Sequence, residues 1–340
     1  MAKIKIEFLA TYYDRHRLPL RSRLFADIGR ASRLLAGPLA GAVNRLVAPA
    51  PVRRLLERFA GISARRTLPA FSGSPFPAWA RRRGLDRVAS GRAVALFPDT
   101  FNSFNTPEVA RAATEVLEQA GFAVTVPEYG CCGRPMLSKG LVRRARRAAR
   151  ATVARLAPLA RAGVPIVGLE PSCVSAIRDE YRSLLPDDED AALVAEHVET
   201  FEELVARAHA DGELDLDLNG DHGGLLLHGH CHQKALIGTG PSKSTLGLTG
   251  AEVTEVDSGC CGMAGSFGYE AEHYDVSMTM AERRLLPAVR SLDGGATVVA
   301  AGTSCRHQIM HGTGRRALHP AEVLHAALRG DNDSHGSNGG

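Results

Sequence analysis

Cysteine pairs flanked by glycine occur twice in this chain of 340 residues. Gly-Cys-Cys-Gly stands at 130–133 and again at 259–262. A Ser-Cys dipeptide follows each pair, and it contributes Cys173 after the first pair and Cys305 after the second. Both the pairs and the dipeptides recur at a spacing of about 130 residues. Because cysteine is a rare residue and the two spacings agree, the chain contains an internal repeat built around cysteine.

A further cysteine precedes the pair in the second copy only. Cys231 lies between two histidines, whereas Thr100 stands at the corresponding place in the first copy. Several thiolates close together bind soft metals, and iron in a sulfide cluster is held by cysteine thiolates. The pattern uses all seven cysteines and predicts metal ligands at Cys231, Cys260, Cys261 and Cys305 in the second copy and at Cys131, Cys132 and Cys173 in the first.

Other interpretations of these cysteines compete with an iron-sulfur site. A single cysteine near a strand end is usually a small core residue, but two adjacent cysteines on a strand cannot both point into one core. Structural zinc sites favour Cys-x2-Cys spacing, and thiol-disulfide catalysts usually have the same spacing. The chain has no such spacing, so an iron-sulfur site is the preferred interpretation and zinc is its nearest rival.

Histidines and carboxylates lie next to the predicted ligands. The histidines beside the cysteines of the second copy are His228, His230, His232 and His307. Imidazole replaces thiolate on iron in some clusters, and the alternative is that these side chains hydrogen-bond the turns or cover the site. The carboxylates that precede the cysteine turns are Glu128, Glu170 and Asp257. Proton relay is one role for them, and a salt bridge or helix cap is the simpler one.

The predicted ligands follow apolar segments that have the length and flanks of buried strands. These segments are 93–97, 123–126 and 164–169 in the first copy and 225–227 and 297–301 in the second. Helices are predicted at 107–120, at 141–160 and through Phe201 and Val205. Alternating strands and helices predict an α/β fold with two tandem parallel-sheet domains, and the carboxyl ends of parallel strands meet at one edge.

Positive charge is concentrated in the first 92 residues. This segment has 19 Lys or Arg against 5 Asp or Glu, a charge of +14, so the rest of the chain carries −10 within the total of +4. Two amphipathic helices are predicted there, at 21–35 and 51–59. Such a basic segment favours phosphates, an anionic lipid surface or an acidic partner protein. Nucleic acid is not an expected partner, because no aromatic residues are placed for base stacking.

These patterns divide the chain into four segments and a linker. A basic helical arm is predicted at 1–90, cysteine-rich domains at 91–210 and 222–328, a polar linker at 211–224 and a disordered tail at 329–340. No apolar stretch approaches the ~20 residues of a membrane-spanning helix, and the opening residues lack the apolar region of a signal peptide. We expect a cytoplasmic protein in a reducing compartment, with a peripheral position on the inner face of the membrane as a further option.

Four segments resemble the CCG, or cysteine-rich domain, family of iron-sulfur oxidoreductase subunits. They are Phe-Pro-Asp-Thr-Phe at 97–101, Gly-Leu-Glu-Pro-Ser-Cys at 168–173, His-Gly-His-Cys-His at 228–232 and the glycine-rich cysteine segment at 257–268. The family includes the cysteine-rich subunit of heterodisulfide reductase, lactate-utilisation proteins and the iron-sulfur subunits of glycolate oxidase and anaerobic glycerol-3-phosphate dehydrogenase. The resemblance is stronger to the C-terminal part of fused FAD-linked D-lactate or D-2-hydroxyglutarate dehydrogenases.

The resemblance implies a module that passes electrons from a flavin-dependent 2-hydroxy-acid dehydrogenase to an acceptor such as a quinone or a disulfide. The hydroxy acid would be D-lactate, glycolate or 2-hydroxyglutarate. The implied cofactor is a [4Fe–4S] cluster, with a noncubane form bridged by the adjacent cysteines as an option. FAD and ferredoxin-type clusters would belong to the partner, since the chain has no flavin-binding region or ferredoxin spacing.

The sequence also departs from the family pattern. Thr100, Ala176 and Gln308 stand where the family has cysteine, so the first domain offers an incomplete ligand set. We expect the chain to be an oxidoreductase component that does not act alone. The competing hypotheses are a non-redox docking scaffold and a zinc-stabilised binding module of the same complex.

Overall fold

Each cysteine-rich domain contains a parallel sheet, and the two sheets have the same strand order. The structure, a computed structural model, describes residues 2–87, 91–214, 216–218 and 223–329. The strands in these residues are β1 (Ala93–Leu96), β2 (Ala123–Thr125), β3 (Ile166–Gly168), β4 (Val198–Thr200), β5 (Leu225–Leu227), β6 (Val253–Glu255), β7 (Thr297–Val299) and β8 (Ala317–Leu318). The first sheet has the order β2-β1-β3-β4 and the second β6-β5-β7-β8, with every pair parallel. The predicted α/β fold with two repeats is confirmed.

Helices cover both sheets and make up most of the arm, residues 1–90. The arm has α1 (Ala2–Arg15), α2 (Leu20–Ala26), α3 (Ile28–Leu35), α4 (Ala40–Val47), α5 (Ala50–Ala60) and α6 (Phe76–Arg82). The first repeat, around the first sheet, has α7 (Thr100–Phe104), α8 (Pro107–Gln119), α9 (Arg134–Ser138), α10 (Val142–Arg161), α11 (Pro171–Ser175), α12 (Tyr181–Leu184), α13 (Glu189–His197) and α14 (Phe201–Ala210). The second repeat has α15 (Cys231–Leu236), α16 (Gly240–Gly247), α17 (Tyr274–Glu282), α18 (Leu285–Arg290), α19 (Thr303–Thr313) and α20 (Pro320–Arg329).

The elements predicted from the sequence are present, with some differences in their bounds. The predicted helix at 21–35 is two helices, because the backbone at Asp27 leaves the helical conformation between α2 and α3. Strands β4 (Val-Glu-Thr) and β8 (Ala-Leu) do not form apolar runs of the length that predicts a buried strand. The predicted tail lies outside the described residues after Arg329, as do residues 215 and 219–222 of the predicted linker. The predicted domain boundaries stay predictions.

The two repeats pack against each other through helices in a pseudo-two-fold arrangement. Helix α8 of the first repeat contacts α20 of the second. Conversely, α16 of the second repeat, which corresponds to α8, contacts α14 of the first, which corresponds to α20. Leu117 and Phe201 of the first repeat share a buried core with Leu246 and Leu324 of the second. Full burial of one such side chain contributes roughly 1.5–3 kcal/mol. Because α11 also contacts α15, the packing brings the cysteine-bearing ends of the two sheets together.

The arm packs against both repeats instead of extending away from them. Helix α3 lies on α7 and α2 lies on α9, both in the first repeat. In the second repeat, the buried Arg66 donates to the Gly268 carbonyl oxygen at 2.8 Å and to Gln308 Oε1 at 2.6 Å. The Ser63 N–H donates to the Tyr269 carbonyl oxygen at 2.8 Å. Part of the arm's positive charge therefore has a structural role.

Glu270 joins the arm and the two repeats through one buried carboxylate. Its side chain is 6% exposed, forms ion pairs with Arg21 of the arm and Lys139 of the first repeat, and contacts His273 of its own repeat. Glu270 Oε2 lies 3.5 Å from Arg21 Nε and 3.2 Å from His273 Nδ1. Burial lowers the pKa of Lys139, and the Glu270 carboxylate opposes this effect. The carboxylate therefore helps to keep a buried ammonium charged.

We expect Glu270→Gln to reduce the free energy of unfolding by about 3–5 kcal/mol, because it leaves the buried Lys139 ammonium without its counter-ion. Glu272→Gln is the matched control. The Glu272 carboxylate also binds Arg21 but is 51% exposed, so its loss should cost less than about 1 kcal/mol. Urea unfolding followed by circular dichroism measures both variants, and equal losses would contradict the role given to Glu270.

Candidate metal centre

The cysteines of the second repeat lie at the carboxyl ends of three neighbouring strands. Cys231 follows β5 and is the first residue of α15, and the pair at 260–261 lies in the turn after β6. Cys305 lies in the first turn of α19, after β7. Since β5 lies between β6 and β7 in the sheet, the three turns are adjacent. The structure thus brings together the four ligands that the sequence predicts for this repeat.

Contacts between these four thiols form one continuous row. Cys260 is in hydrogen-bond contact with Cys231 on one side and with Cys261 on the other, and Cys261 contacts Cys305 in the same way. We call these four residues the thiol row. Cys261 and Cys305 are buried, whereas Cys231 and Cys260 are partly exposed. The row therefore extends from the interior of the repeat towards its surface.

The four sulfurs of the thiol row do not all lie within 4.8 Å of one another, and smaller groups with histidine do. In the described part of the chain, three groups of His, Cys, Asp or Glu have all their ligand atoms within 4.8 Å of one another. They are His228 with Cys261 and Cys305, His230 with Cys231 and His232, and Glu270 with Glu272 and His273. The second repeat therefore places sulfur and imidazole atoms close enough together to bind metal.

The surroundings of the thiol row favour negative charge on two of its sulfurs. Contacts with the Cys231 and Cys261 thiols lower the pKa of Cys260, and the Gly262 N–H, which donates to Cys260 Sγ at 3.3 Å, acts in the same direction. Contact with the Cys261 thiol also lowers the pKa of Cys305, and His228 contributes to this effect. The same contacts raise the pKa of Cys231 and Cys261, so negative charge is favoured on alternate sulfurs of the row, and metal ligation requires deprotonated cysteine.

The first repeat has the same arrangement with one thiol missing. Cys132 Sγ lies 3.1 Å from Cys173 Sγ, and Cys131 contacts Cys132 as Cys260 contacts Cys261. Thr100 contacts Cys131 at the place that Cys231 has in the second repeat. The Thr100 hydroxyl is paired with the Tyr129 hydroxyl at 2.9 Å. The first repeat therefore offers three thiols and a neutral hydroxyl pair.

The first repeat also keeps its thiols protonated. The hydrogen bond with Cys132, together with burial, raises the pKa of Cys131. Contact with Cys132 lowers the pKa of Cys173, but burial outweighs this effect and brings the pKa to about 11. A set of three thiols does not fit a cluster that needs four thiolate ligands. The two repeats thus share a fold and differ in the number of thiols at the edge of the sheet.

Three of the histidines singled out in the sequence have hydrogen-bond partners other than the sulfurs, although His230 and His232 also have ring nitrogens within 4.8 Å of Cys231 Sγ. His230 caps α15, accepting through Nδ1 from the His232 N–H at 3.2 Å. His232 Nε2 lies 2.6 Å from Nη2 of Arg134, which directly follows the cysteine turn of the first repeat. His307 Nδ1 lies 3.0 Å from the Tyr269 hydroxyl. Burial lowers the pKa of both His232 and His307 to about 4, so both imidazoles are neutral.

The carboxylates singled out in the sequence act as caps and in ion pairs. Glu170 is buried, and its Oε1 accepts from the Ser172 hydroxyl at 2.8 Å, while its Oε2 accepts from the Thr303 N–H of the second repeat at 2.9 Å. Burial would raise the pKa of Glu170, but His230 and these hydrogen bonds hold it below its usual range. This contact joins the two cysteine edges and has no signal in the sequence. The other two carboxylates are exposed and face arginines: Glu128 with Arg155 and Asp257 with Arg284.

The fold and the site define a class of α/β proteins in which two tandem repeats carry cysteines at the carboxyl edges of their sheets. The model of the cysteine-rich domain family, CCG, matches residues 95–178 and 225–310, half of the chain. The chain belongs to this family, as the resemblance in its sequence indicates. The two matched segments contain β2, β3, β5, β6 and β7 and part of β1, and they contain every cysteine.

Similar proteins match most of the chain. One subunit of the anaerobic glycerol-3-phosphate dehydrogenase of Escherichia coli is 29% identical over 321 residues, which cover 93% of this chain and 79% of the relative. D-2-hydroxyglutarate dehydrogenase of Escherichia coli is 26% identical over 335 residues, covering 95% of this chain and 32% of the relative. Lactate utilization protein A of Bacillus velezensis is 27% identical over 250 residues, covering 68% of this chain and 99% of the relative. This chain therefore spans about a third of the hydroxyglutarate dehydrogenase.

Proposed function

We propose that this protein is an iron-sulfur electron-transfer subunit or module that relays electrons from a flavin-dependent dehydrogenase to an acceptor such as a quinone or a disulfide. The thiol row is the observation that carries the proposal. The names of the relatives support a dehydrogenase as the electron donor. A 2-hydroxy acid of the D-lactate, glycolate or 2-hydroxyglutarate type is the proposed substrate of that donor, and glycerol 3-phosphate is the competing one.

We propose a cluster of several iron atoms in preference to a single zinc ion held by all four thiols of the row. Tetrahedral zinc with Zn–S bonds of ~2.3 Å holds its sulfurs about 3.8 Å apart. The four sulfurs of the row are not all within 4.8 Å of one another among the described residues. We propose that Cys231, Cys260, Cys261 and Cys305 hold a [4Fe–4S] cluster or its noncubane form. Such a cluster supplies one-electron transfer when it is bound.

We propose that the three thiols of the first repeat form a second, incomplete site. Cys131, Cys132 and Cys173 lie together, but the hydroxyl of Thr100 does not replace a thiolate on iron. The first repeat instead supports the centre of the second through Arg134 and Glu170, which contact His232 and the Thr303 N–H. The cluster is therefore assigned to the second repeat.

We propose the arm as the docking surface for partners. Within the described residues, ten of the fourteen exposed large apolar side chains belong to the arm: Ile4, Phe8, Tyr12, Leu20, Leu24, Leu34, Leu39, Leu46, Leu55 and Phe59. Several of them are four residues apart in one helix and so share a face. Exposed apolar residues among arginines support binding to a flavin-containing dehydrogenase subunit with ferredoxin-type clusters, or to an anionic membrane surface. None of the helices that the structure describes has the length and apolar character needed to cross a membrane.

Metal analysis after purification without oxygen tests the cluster. We expect iron and acid-labile sulfide in similar amounts and a broad visible absorption that bleaches when the protein is reduced. Protein that stays colourless and free of iron after reconstitution would overturn the proposal. Zinc in place of iron would instead support the zinc-stabilised binding module.

A non-redox docking scaffold is the second candidate function, and the exposed apolar residues of the arm favour it. A scaffold would hold the dehydrogenase complex together without carrying electrons. Removal of one ligand from the thiol row separates the two functions, because it affects electron transfer and leaves the arm unchanged.

A further inference from the structure

His228 is placed differently from the other histidines near the cysteines. Its side chain is buried, with 1% exposed, at the end of β5. A ring nitrogen of His228 and the sulfurs of Cys261 and Cys305 all lie within 4.8 Å of one another. Nδ1 lies 2.8 Å from Ser258 Oγ, whereas Nε2 is buried, has no hydrogen bond of ordinary geometry within the described residues and interacts with the Cys305 thiol. A buried ring nitrogen whose nearest polar neighbours are two thiols needs an explanation, because buried polar atoms are almost always paired.

Ser258 holds one ring nitrogen of His228 in place. The Ser258 hydroxyl lies 2.8 Å from His228 Nδ1 and 3.5 Å from the Val256 carbonyl oxygen, so when it donates to that carbonyl it accepts from Nδ1–H. The neutral imidazole then has a lone pair on Nε2. Histidines that bind metals usually donate their other N–H to an oxygen in this way, which fixes the tautomer and the orientation of the ring. Ser258 is thus a positioning residue for the imidazole.

The first repeat provides an internal comparison. The repeat offset aligns His228, Cys231 and Ser258 of the second repeat with Phe97, Thr100 and Tyr129 of the first. The cysteines that correspond to Cys261 and Cys305 are retained there. The repeat without the first cysteine thus also lacks the imidazole and the serine that orients it, as expected if the three residues serve one centre.

We infer that His228 Nε2 is a direct ligand of the metal centre in the second repeat, beside the cysteines of the thiol row. This inference rests on the proposed iron-sulfur function. A neutral imidazole adds less negative charge to the centre than a further thiolate would, so it favours the reduced centre relative to the oxidised one and gives a higher reduction potential. His228 therefore tunes the potential of the centre as well as binding it.

Pulsed electron paramagnetic resonance of the full chain tests this ligand. The protein is reconstituted with iron and sulfide without oxygen, with and without 15N-labelled histidine, and its reduced state is measured. We expect a hyperfine coupling to a histidine nitrogen that changes with the label. His228→Phe, which introduces the residue of the first repeat, should abolish the coupling. His307→Asn is the control, since it retains an acceptor for Tyr269 and should keep the coupling.

Two results would overturn the inference: a reduced cluster without any histidine nitrogen coupling, or a coupling that persists in His228→Phe. The absence of a coupling in the wild-type protein overturns the inference even if a variant fails to fold. A wild-type protein that binds no iron would instead contradict the proposed function itself. His228→Cys gives a second readout, because a thiolate at this position should shift the midpoint potential to a lower value, and an unchanged potential would count against the ligand.

Discussion

Cys260→Ala should purify with at least ~10-fold less iron and sulfide than the wild-type protein. Cys260 contacts Cys231 and Cys261, so it is in the middle of the thiol row. Residues that only orient a metal ligand already change metal affinity by about 10–100-fold, and loss of a ligand should cost at least as much. The Cys260 side chain is partly exposed, so its truncation leaves little buried cavity and the fold should survive. Iron, sulfide and circular dichroism are measured on the same preparation.

Cys131→Ala is the matched control for this substitution. Cys131 has the same place in the first repeat and is also partly exposed, but it lies beside Thr100 instead of a fourth cysteine. We expect this variant to retain most of its iron. Equal iron loss in the two variants would contradict the assignment of the cluster to the second repeat.

The Cys260→Ala protein also separates electron transfer from scaffolding. In a complex with its dehydrogenase, the variant should still bind the partner through the arm but should not reduce the acceptor. Unchanged electron transfer through an intact complex would contradict the electron-transfer proposal and leave the docking scaffold as the function.

The strands and the cysteine turns could be predicted from sequence because both depend on local pattern. A buried strand such as β1 or β5 is a short apolar run. The carboxyl ends of parallel strands lie at the same edge of the sheet, regardless of which side chains follow them. The equivalence of Thr100 and Cys231 came from the repeat offset, and the structure places both beside the first cysteine of the following pair. Internal repetition thus supplied long-range information that a single pattern does not carry.

The remaining features depend on contacts between residues that are far apart in the chain. Glu170 accepts from the Thr303 N–H, and Arg66 of the arm donates to Gln308, across 133 and 242 residues. The ring nitrogen of His228 that carries the lone pair depends on the hydrogen bond with the Ser258 hydroxyl, and no sequence motif indicates it. Propensity and periodicity describe one element at a time, so they could not indicate that the arm closes over both repeats or which histidine faces the sulfurs.

Gly262→Ala should destabilise the protein by at least about 2 kcal/mol, and the cause lies in the turn that carries the cysteine pair. Gly262 has a φ of +87°, and a Cβ there would overlap the carbonyl oxygen of Ser277 in α17. The substitution adds left-handed strain to a clash with backbone that cannot rotate away. Because the Gly262 N–H donates to Cys260 Sγ, we also expect iron binding to fall. Urea unfolding and iron content measure the two effects.

Gly259→Ala, on the other side of the same cysteine pair, is the matched control. A Cβ at Gly259 meets nothing within 4 Å and its φ is not positive, so stability and iron content should be unchanged or slightly higher. The first repeat extends the comparison, since Gly133 has a φ of +84° and a Cβ there would lie 3.2 Å from the Ala145 carbonyl oxygen in α10. Gly133→Ala should destabilise the fold less than Gly262→Ala and should not remove iron. Loss of iron from Gly259→Ala, or its retention in Gly262→Ala, would show that the close approach of turn and helix does not hold the cysteine pair in place.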